Sequence, residues 1–240
     1  MSRHSRRVQL APGYLLHHRP WRDTSRILEI IARDHGRLTL FARGVRGPRS
    51  RLAPILQPFR PLLLSWSGRG EAAQLTGAEA AGESLPLPSP ALMSGFYLNE
   101  LLLKLTTRHD PHPELFDDYH HTLETLKAGA PLERSLRLFE KRLLENLGYG
   151  LLLGSEAQSG QAVGADAYYH FRPAVGLVPA VAEVTGVVSG RSLLSLEREE
   201  LETPEALEDA RRVLRAALGQ CLEGRELASR TVARAIVRRG

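Results

Sequence analysis

The chain has 240 residues, 42% of them apolar and 25% charged, a composition that supports a packed core and excludes disorder as the main state. No run of about 18 apolar residues occurs, so no membrane-spanning helix is expected, and no long apolar stretch follows the basic Met1–Arg7, which argues against a cleaved secretory signal. The first 80 residues carry 14 Arg, no Lys and five acids, about +9, while the remaining 160 hold 18 basic and 22 acidic side chains, about −4; so uneven a distribution points to a polyanion partner, phosphates above all, because guanidinium forks match them and release counterions on binding.

Residues 8 to 80 read as strands. Val8–Leu10 and Gly13–His17 are short and β-compatible, Arg26–Ala32 is apolar and β-branched, Asp34–Gly36 supplies a turn, and Arg37–Phe41 alternates polar with apolar. Two glycines and a proline break the segment Arg43–Arg51. Phe59–Trp66 resumes the strand signal, Ser67–Gly70 turns, and Ala72–Ala80 is a weaker final strand. About five short strands in some 75 residues predict a small closed sheet, of which the oligonucleotide-binding (OB) barrel is one architecture.

Pro86, Pro88 and Pro90 mark an extended linker over 82–90. Beyond it the period is helical. Ser89 is placed to cap a first helix with Pro90 at its first position; Leu92, Phe96, Leu98, Leu101, Leu102 and Leu105 leave that helix few polar faces, so it is expected to be central and buried. A second helix is expected over Glu114–Leu126. A third spans Pro131–Leu147, with Leu132, Leu136, Phe139, Leu143 and Leu147 as its apolar stripe and Gly148 as its stop. Residues 150–190 show no helical period and suggest short strands around Tyr168–Phe171 and Gly176–Pro179. Helices return at Thr203, a cap followed by Pro204 and by Glu205 and Glu208 near the positive helix end, and a last one is expected over Glu226–Arg238. The fold class is therefore α+β: an OB-fold barrel over 1–81, the linker 82–90, and a helical domain over 91–240 carrying a small cysteine-free insertion at about 150–190.

Within this frame the loop holding Arg43, Arg46, Arg49 and Arg51 is the sharpest feature. Four guanidinium groups in nine residues suit a phosphate backbone, and Gly44, Gly47 and Pro48 suggest a mobile loop; the competing reading is a solvated loop in an arginine-rich protein. Trp21, Phe41, Phe59 and Trp66 are candidates for stacking on bases, Trp21 favoured because it sits among Arg19, Pro20 and Arg22 rather than inside an alternating strand. The single cysteine, Cys221, excludes intramolecular disulfides and multi-thiolate metal sites, fits a reducing cytoplasm, and reads as a small core residue. His109, Asp110, His112, His120 and His121 crowd one stretch without the spacing of a zinc site. No Gly-x-Ser-x-Gly elbow, nucleotide phosphate loop, dinucleotide fingerprint or carboxylate pair is found, so no enzyme and no cofactor is expected.

Several segments carry a resemblance in their order and spacing: His18–Ser25 leading into an apolar strand, Gly36–Gly44, Leu56–Leu63, Gly95–Leu101, Arg137–Glu140 with Leu147–Gly150, and Leu227–Arg230. Together they resemble the DNA repair protein RecO family of bacterial recombination mediators over nearly the whole chain. The resemblance implies a non-enzymatic protein, cytoplasmic and associated with the nucleoid. It would bind single- and double-stranded DNA, anneal complementary strands, associate with RecR, and bind the acidic C-terminal tail of single-stranded DNA-binding protein while helping to load RecA. On that basis DNA is expected at Arg19, Arg22, Arg37, Arg43, Arg46, Arg49 and Arg51. The tail is expected at Arg134, Leu136 and Arg137 with Leu98 and Leu102 as apolar lining, Arg137 falling in the segment that resembles the family's tail-binding helix. Many relatives carry four cysteines and zinc in the insertion; this chain has none there. Two other readings are an RNA-binding or ribosome-associated OB module and a protein adaptor whose basic barrel docks on an acidic partner.

Overall fold

A computed structural model describes residues 7–68, 72–82, 86–182, 184–229 and 231. They fall into two compact units: one runs to Ala128 and takes the chain back from Leu227, and the other is Gly129–Glu226. In the first, five strands, β1 (Arg7–Trp21), β2 (Ser25–Ala32), β3 (Gly36–Ala42), β4 (Leu62–Ser67) and β5 (Ala72–Ala80), close into a barrel in the order β1-β2-β3-β5-β4. All pairings are antiparallel except β3 with β5. Period-two alternation decides which side chains go inside: Leu28 and Ile30 on β2, Leu38 and Leu40 on β3, and Leu62 and Leu64 on β4 fill the interior at 3% exposure or less. Two expected short strands are one: β1 runs unbroken through Ala11 and Pro12, because β-bulges let a long strand bend around a closing barrel.

The second bulge joins barrel to helix. Between Leu15 and His17 the register with β2 slips by one residue, so Leu16 has no partner across the ladder. Its carbonyl instead accepts from Asn99 Nδ2 at 2.9 Å, and Asn99 Oδ1 accepts from the Tyr119 hydroxyl at 2.5 Å. Asn99 lies on α1 (Ser89–Leu105) and Tyr119 on α2 (Pro113–Lys127). A buried backbone group left by the bulge is thus satisfied by the helices that cover it. Tyr14, also facing out of β1, packs edge-on against Tyr119 at 5.1 Å, its hydroxyl 2.5 Å from His120 Nδ1. Burial pushes the Tyr14 hydroxyl well above its ordinary range, with the Glu124 carboxylate adding to the shift. Arg33, in the β2–β3 turn, closes a two-bond fork on Asp117 of α2 at 2.7 and 2.9 Å. These ties put α1 and α2 in one compact unit with the barrel, so the proline segment at 82–90 connects parts of a single unit.

Two glycines are required by close approach. A Cβ on Gly95 would meet Leu87 at 2.5 Å and Phe59 at 2.9 Å, and one on Gly36, whose φ is +67°, would lie 2.2 Å from the Asp110 carbonyl oxygen. The helix starts differ in one respect from expectation. Ser89 is the first helical residue of α1 rather than its cap; Pro88 takes that position, with no side-chain cap bond. Further along, the Glu100 carboxylate accepts from the amides of Ala228 and Ser229 and from the Ser229 hydroxyl at 2.6 to 2.9 Å, which anchors the returning chain on α1. Little of the helix expected over Glu226–Arg238 falls in the described residues.

The second unit holds α3 (Leu132–Asn146), a three-stranded sheet ordered β7 (Gly176–Ala180), β6 (Tyr168–Arg172), β8 (Val188–Ser189), then α4 (Gly190–Glu197) and α5 (Pro204–Cys221). Thr203 caps α5 as expected, accepting from the Ala206 amide at 3.1 Å. Helix α4 is an addition to the expected elements; Ser189 caps it. The cysteine-free insertion is ordered by buried Val163, Tyr169 and Leu177, and the Tyr169 hydroxyl accepts from the Gly164 amide at 2.9 Å. Cys221 ends α5 half-buried, and burial pushes its thiol up. Among the described residues no helix is long and apolar enough to cross a membrane, and no three His, Cys, Asp or Glu side chains converge as metal ligands.

Candidate nucleic-acid interface

The helices cover the outer face of β1 as far as Leu16; from His17 to Trp21 the strand is mostly exposed. At this open end the β1–β2 turn meets the arginine loop. Arg46 donates its amide to the Thr24 carbonyl at 2.8 Å and its guanidinium Nη1 to the Arg22 carbonyl at 3.3 Å. The loop, expected to be mobile, is a fixed bracket. Val45 is 1% exposed in the barrel core with Leu56, and Leu52 and Ile55 pack against the same core. Successive turns bond Gly47 to Gly44 and Ser50 to Gly47. One buried valine in a run of glycines and arginines plugs the barrel end and fixes which way its neighbours face. Arg43, Arg46, Arg49 and Arg51 are all exposed.

The arginines on and beside the barrel sort into two sets. Arg33, Arg37 and Arg108 are paired with carboxylates: Arg33 with Asp117 at 2.7 Å, and Arg37 and Arg108 with Glu29 at 3.3 and 2.8 Å. Arg37 was expected at the DNA site, but its guanidinium is spent within the fold. Its side chain is 15% exposed, Nε and Nη2 donate to the Thr106 carbonyl, and Nη1 donates to Glu29. Burial lowers its pKa, partly offset by Glu29. Arg37 is therefore a clamp between β3 and the end of α1, not a free cation. In the other set, Arg19, Arg22, Arg43, Arg49 and Arg51 are exposed and have no ion pair among the described residues. Segments 19–28 and 42–61 together carry eight Arg against one acid, Asp23. Arg26, not among the expected contacts, is half-buried and likewise has no ion pair among the described residues. It lies opposite both Pro20 and Ala42 at the strand ends, so it stands beside the turn and the start of the loop. Burial, and then the Arg26 charge, push the nearby His18 imidazole down. The stretch Arg26–Ala32 reads as an apolar strand, which hides its first residue.

The stacking candidates separate cleanly. Trp66 is 5% exposed and Phe59 6%, both core residues, while Trp21 is 40% exposed and Phe41 half-buried beside it.

The residues expected to hold an acidic tail are divided between the two units. Leu98 and Leu102 are fully enclosed in the first unit. Arg134, Leu136 and Arg137 belong to the second, where Arg134 Nη2 donates to the Glu199 carbonyl at 3.0 Å. Arg137 is 7% exposed and its Nη2 bonds Oε1 of fully buried Glu140 at 2.8 Å. The expected stripe keeps Phe139 and Leu143 inside, but the buried face of α3 is turned towards Arg137, Glu140 and Lys141. Arg137 is a buried structural cation rather than an exposed recognition residue.

A closed five-stranded barrel with OB strand order, its first strand latched to two helices and its open end lined with unpaired arginine, defines an OB-type barrel protein of mixed α+β class. Known proteins make that class specific. The family model described as recombination protein O N terminal matches residues 7–83, and that described as recombination protein O C terminal matches 90–231, the two meeting at the proline segment. The chain is 48% identical to a DNA repair protein RecO of Methylococcus capsulatus over 95% of its own length and 94% of the relative's. It is 46% identical to that of Alkalilimnicola ehrlichii over 97% and 93%, and 43% identical to that of Azoarcus over 94% and 95%. The chain belongs to the recombination protein O family.

Proposed function

We propose that this protein acts in DNA repair as a DNA-binding recombination mediator that anneals complementary strands and helps RecA onto single strands coated with their binding protein. The observation that carries the reading is the set of arginines without carboxylate partners at the open barrel end, fixed by Val45 and the Arg46 bonds. Annealing two polyanions requires neutralisation and close approach but no bond-making, and guanidinium groups carried on a loop tied to the barrel provide both. Family membership supports the repair context.

The test is affinity for a labelled single strand across a salt series, followed by annealing of complementary strands coated with their binding protein. Five to seven phosphate contacts give a log–log salt slope of roughly −3.5 to −5 on single strands. Salt-insensitive or absent binding would overturn the reading in favour of an adaptor on an acidic protein, and a matched RNA that competes better than DNA would turn it towards an RNA-binding barrel.

RecR and the acidic C-terminal tail of single-stranded DNA-binding protein are the partners proposed with this role. An acidic, apolar-tipped tail needs a cation at the rim of an apolar hollow. Such a hollow, about 440 Å³, lies in the first unit between Phe59, Leu87, Leu92 and Phe96, with Arg60 on its wall. Arg60 Nη1 donates to the Pro54 carbonyl at 3.3 Å, while its buried Nε has no hydrogen-bond partner among the described residues. Arg60→Glu is expected to weaken tail-peptide binding at least about tenfold, the scale of one charge-assisted bond, with single-strand affinity falling much less. Tail affinity at the wild-type level would remove the hollow from the tail site.

A further inference from the structure

The register sets a row across the open outer face. Arg19 pairs with Ile27, Ile27 with Phe41, and Phe41 with Gln74, so these four positions cross β1, β2, β3 and β5 on the side opposite the core residues Leu28 and Leu40. Trp21, two residues beyond Arg19, shares that face. Its ring meets Phe41 edge-on, with centroids 5.9 Å apart and planes at 68°. Ile27, on the same face, is 5% exposed, whereas Trp21 keeps 40% of its surface in solvent. Elsewhere on the outer face Tyr14 and Leu16 are buried, and Glu29 accepts from Thr39, Arg37 and Arg108.

An indole so exposed forgoes much of the burial that makes tryptophan favourable in a core. Here it is braced by a second ring and stands between two unpaired arginines, Arg19 and Arg22, the latter in the turn with φ +50°. Such a pairing, an orienting aromatic with cations to either side, offers a π-face to a base and charge to the flanking phosphates. A base inside a duplex has both faces occupied by its neighbours; only an unpaired base is available to stack.

We propose that Trp21, held edge-on by Phe41, is a stacking platform for an unpaired base, and that this face of the barrel therefore takes single-stranded DNA as its ligand while the arginines alone engage duplex. The inference rests on the DNA-binding reading above and adds to it the contact that distinguishes strand from duplex.

The experiment compares the full-length protein with Trp21→Ala and Trp21→Phe on three probes of equal length: an oligothymidine, the same strand with abasic positions, and a duplex. Trp21→Ala is expected to lower oligothymidine affinity about 5- to 100-fold, the loss that goes with one stacked base. Abasic-strand and duplex affinities stay within about twofold, and the salt slope on oligothymidine is unchanged because no phosphate contact is lost. Trp21→Phe retains most of the affinity. Oligothymidine quenches the fluorescence of the wild type but not of Trp21→Phe, whose remaining tryptophan, Trp66, is buried. An equal loss on all three probes, or no loss on oligothymidine, overturns the platform. If Trp21→Ala does not fold, quenching and the Trp21→Phe titrations decide in its place. A wild type without salt-dependent binding fails the DNA reading itself; steep binding that is indifferent to Trp21 fails only the platform.

Discussion

Replacing Arg43, Arg46, Arg49 and Arg51 together by Ala is expected to flatten the salt dependence of single-strand binding by about 3 log units per log unit of salt, four phosphate contacts at roughly 0.7 each. Counterion release scales as salt concentration to that power, so the loss is about 10² to 10³-fold near 0.1 M salt and small near 1 M. Titrations of wild type and variant over this range check both numbers. Fold loss is a poor alternative explanation: the groups that plug the barrel end are Val45 and Leu56, which the substitutions leave in place, and thermal unfolding would show it. Arg46 has a second job. Its guanidinium holds the Arg22 carbonyl, so Arg46→Ala also loosens the β1–β2 turn, whereas the triple variant Arg43→Ala, Arg49→Ala, Arg51→Ala keeps the bracket. The triple variant is expected to lose about 2 slope units and little else. Unchanged affinity in the quadruple variant would remove the loop from the DNA site.

How far the site can be read from sequence depends on whether a residue's neighbours are local. The strands are legible because apolar alternation is a local pattern, and the loop's charge is legible by counting. That the loop is fixed is not, because its cause is a single residue, Val45, whose burial has no period around it. The difference between Arg37 and Arg43 is likewise invisible in composition. It follows from hairpin register, which sets Thr39 opposite Glu29 and Arg37 within reach of the same carboxylate, and from the Thr106 carbonyl some 70 positions away. Part of this is recoverable: the turn at Asp34–Gly36 implies that register, hence the proximity of Glu29. Leu98 and Leu102 show the opposite failure. Their helix reads as buried on nearly every face, which already conflicts with placing them along a surface groove. Helix α4 escapes because it is eight residues long, begins with glycine, and follows a stretch without helical period.

The pair of Arg137 and Glu140 has the i, i+3 spacing of an ordinary surface ion pair, worth a few tenths of a kcal/mol in solvent. Burial changes its weight. Glu140 is fully enclosed, and Arg137 is 7% exposed with its Nε lacking a hydrogen-bond partner among the described residues. Arg137→Ala breaks the bond that its guanidinium donates to the buried Glu140 carboxylate and empties a buried site, so it is expected to destabilise the second unit by about 3–5 kcal/mol, the cost of breaking a buried pair. Replacing both charges by apolar residues of similar volume, Arg137→Met with Glu140→Leu, should recover most of the loss, because the desolvation penalty of both ions disappears with their attraction. Urea unfolding followed by circular dichroism measures both variants, fitted with more than one transition where the two units unfold separately. An Arg137→Ala protein as stable as the wild type would show that the pair carries no such weight. The same reasoning alters what an Arg137 variant can report about partners. If Arg137→Glu loses binding of an acidic tail, two like charges in the core already account for it through unfolding. Only the double apolar variant, folded and without either charge, separates recognition from stability: it is expected to bind the tail as the wild type does.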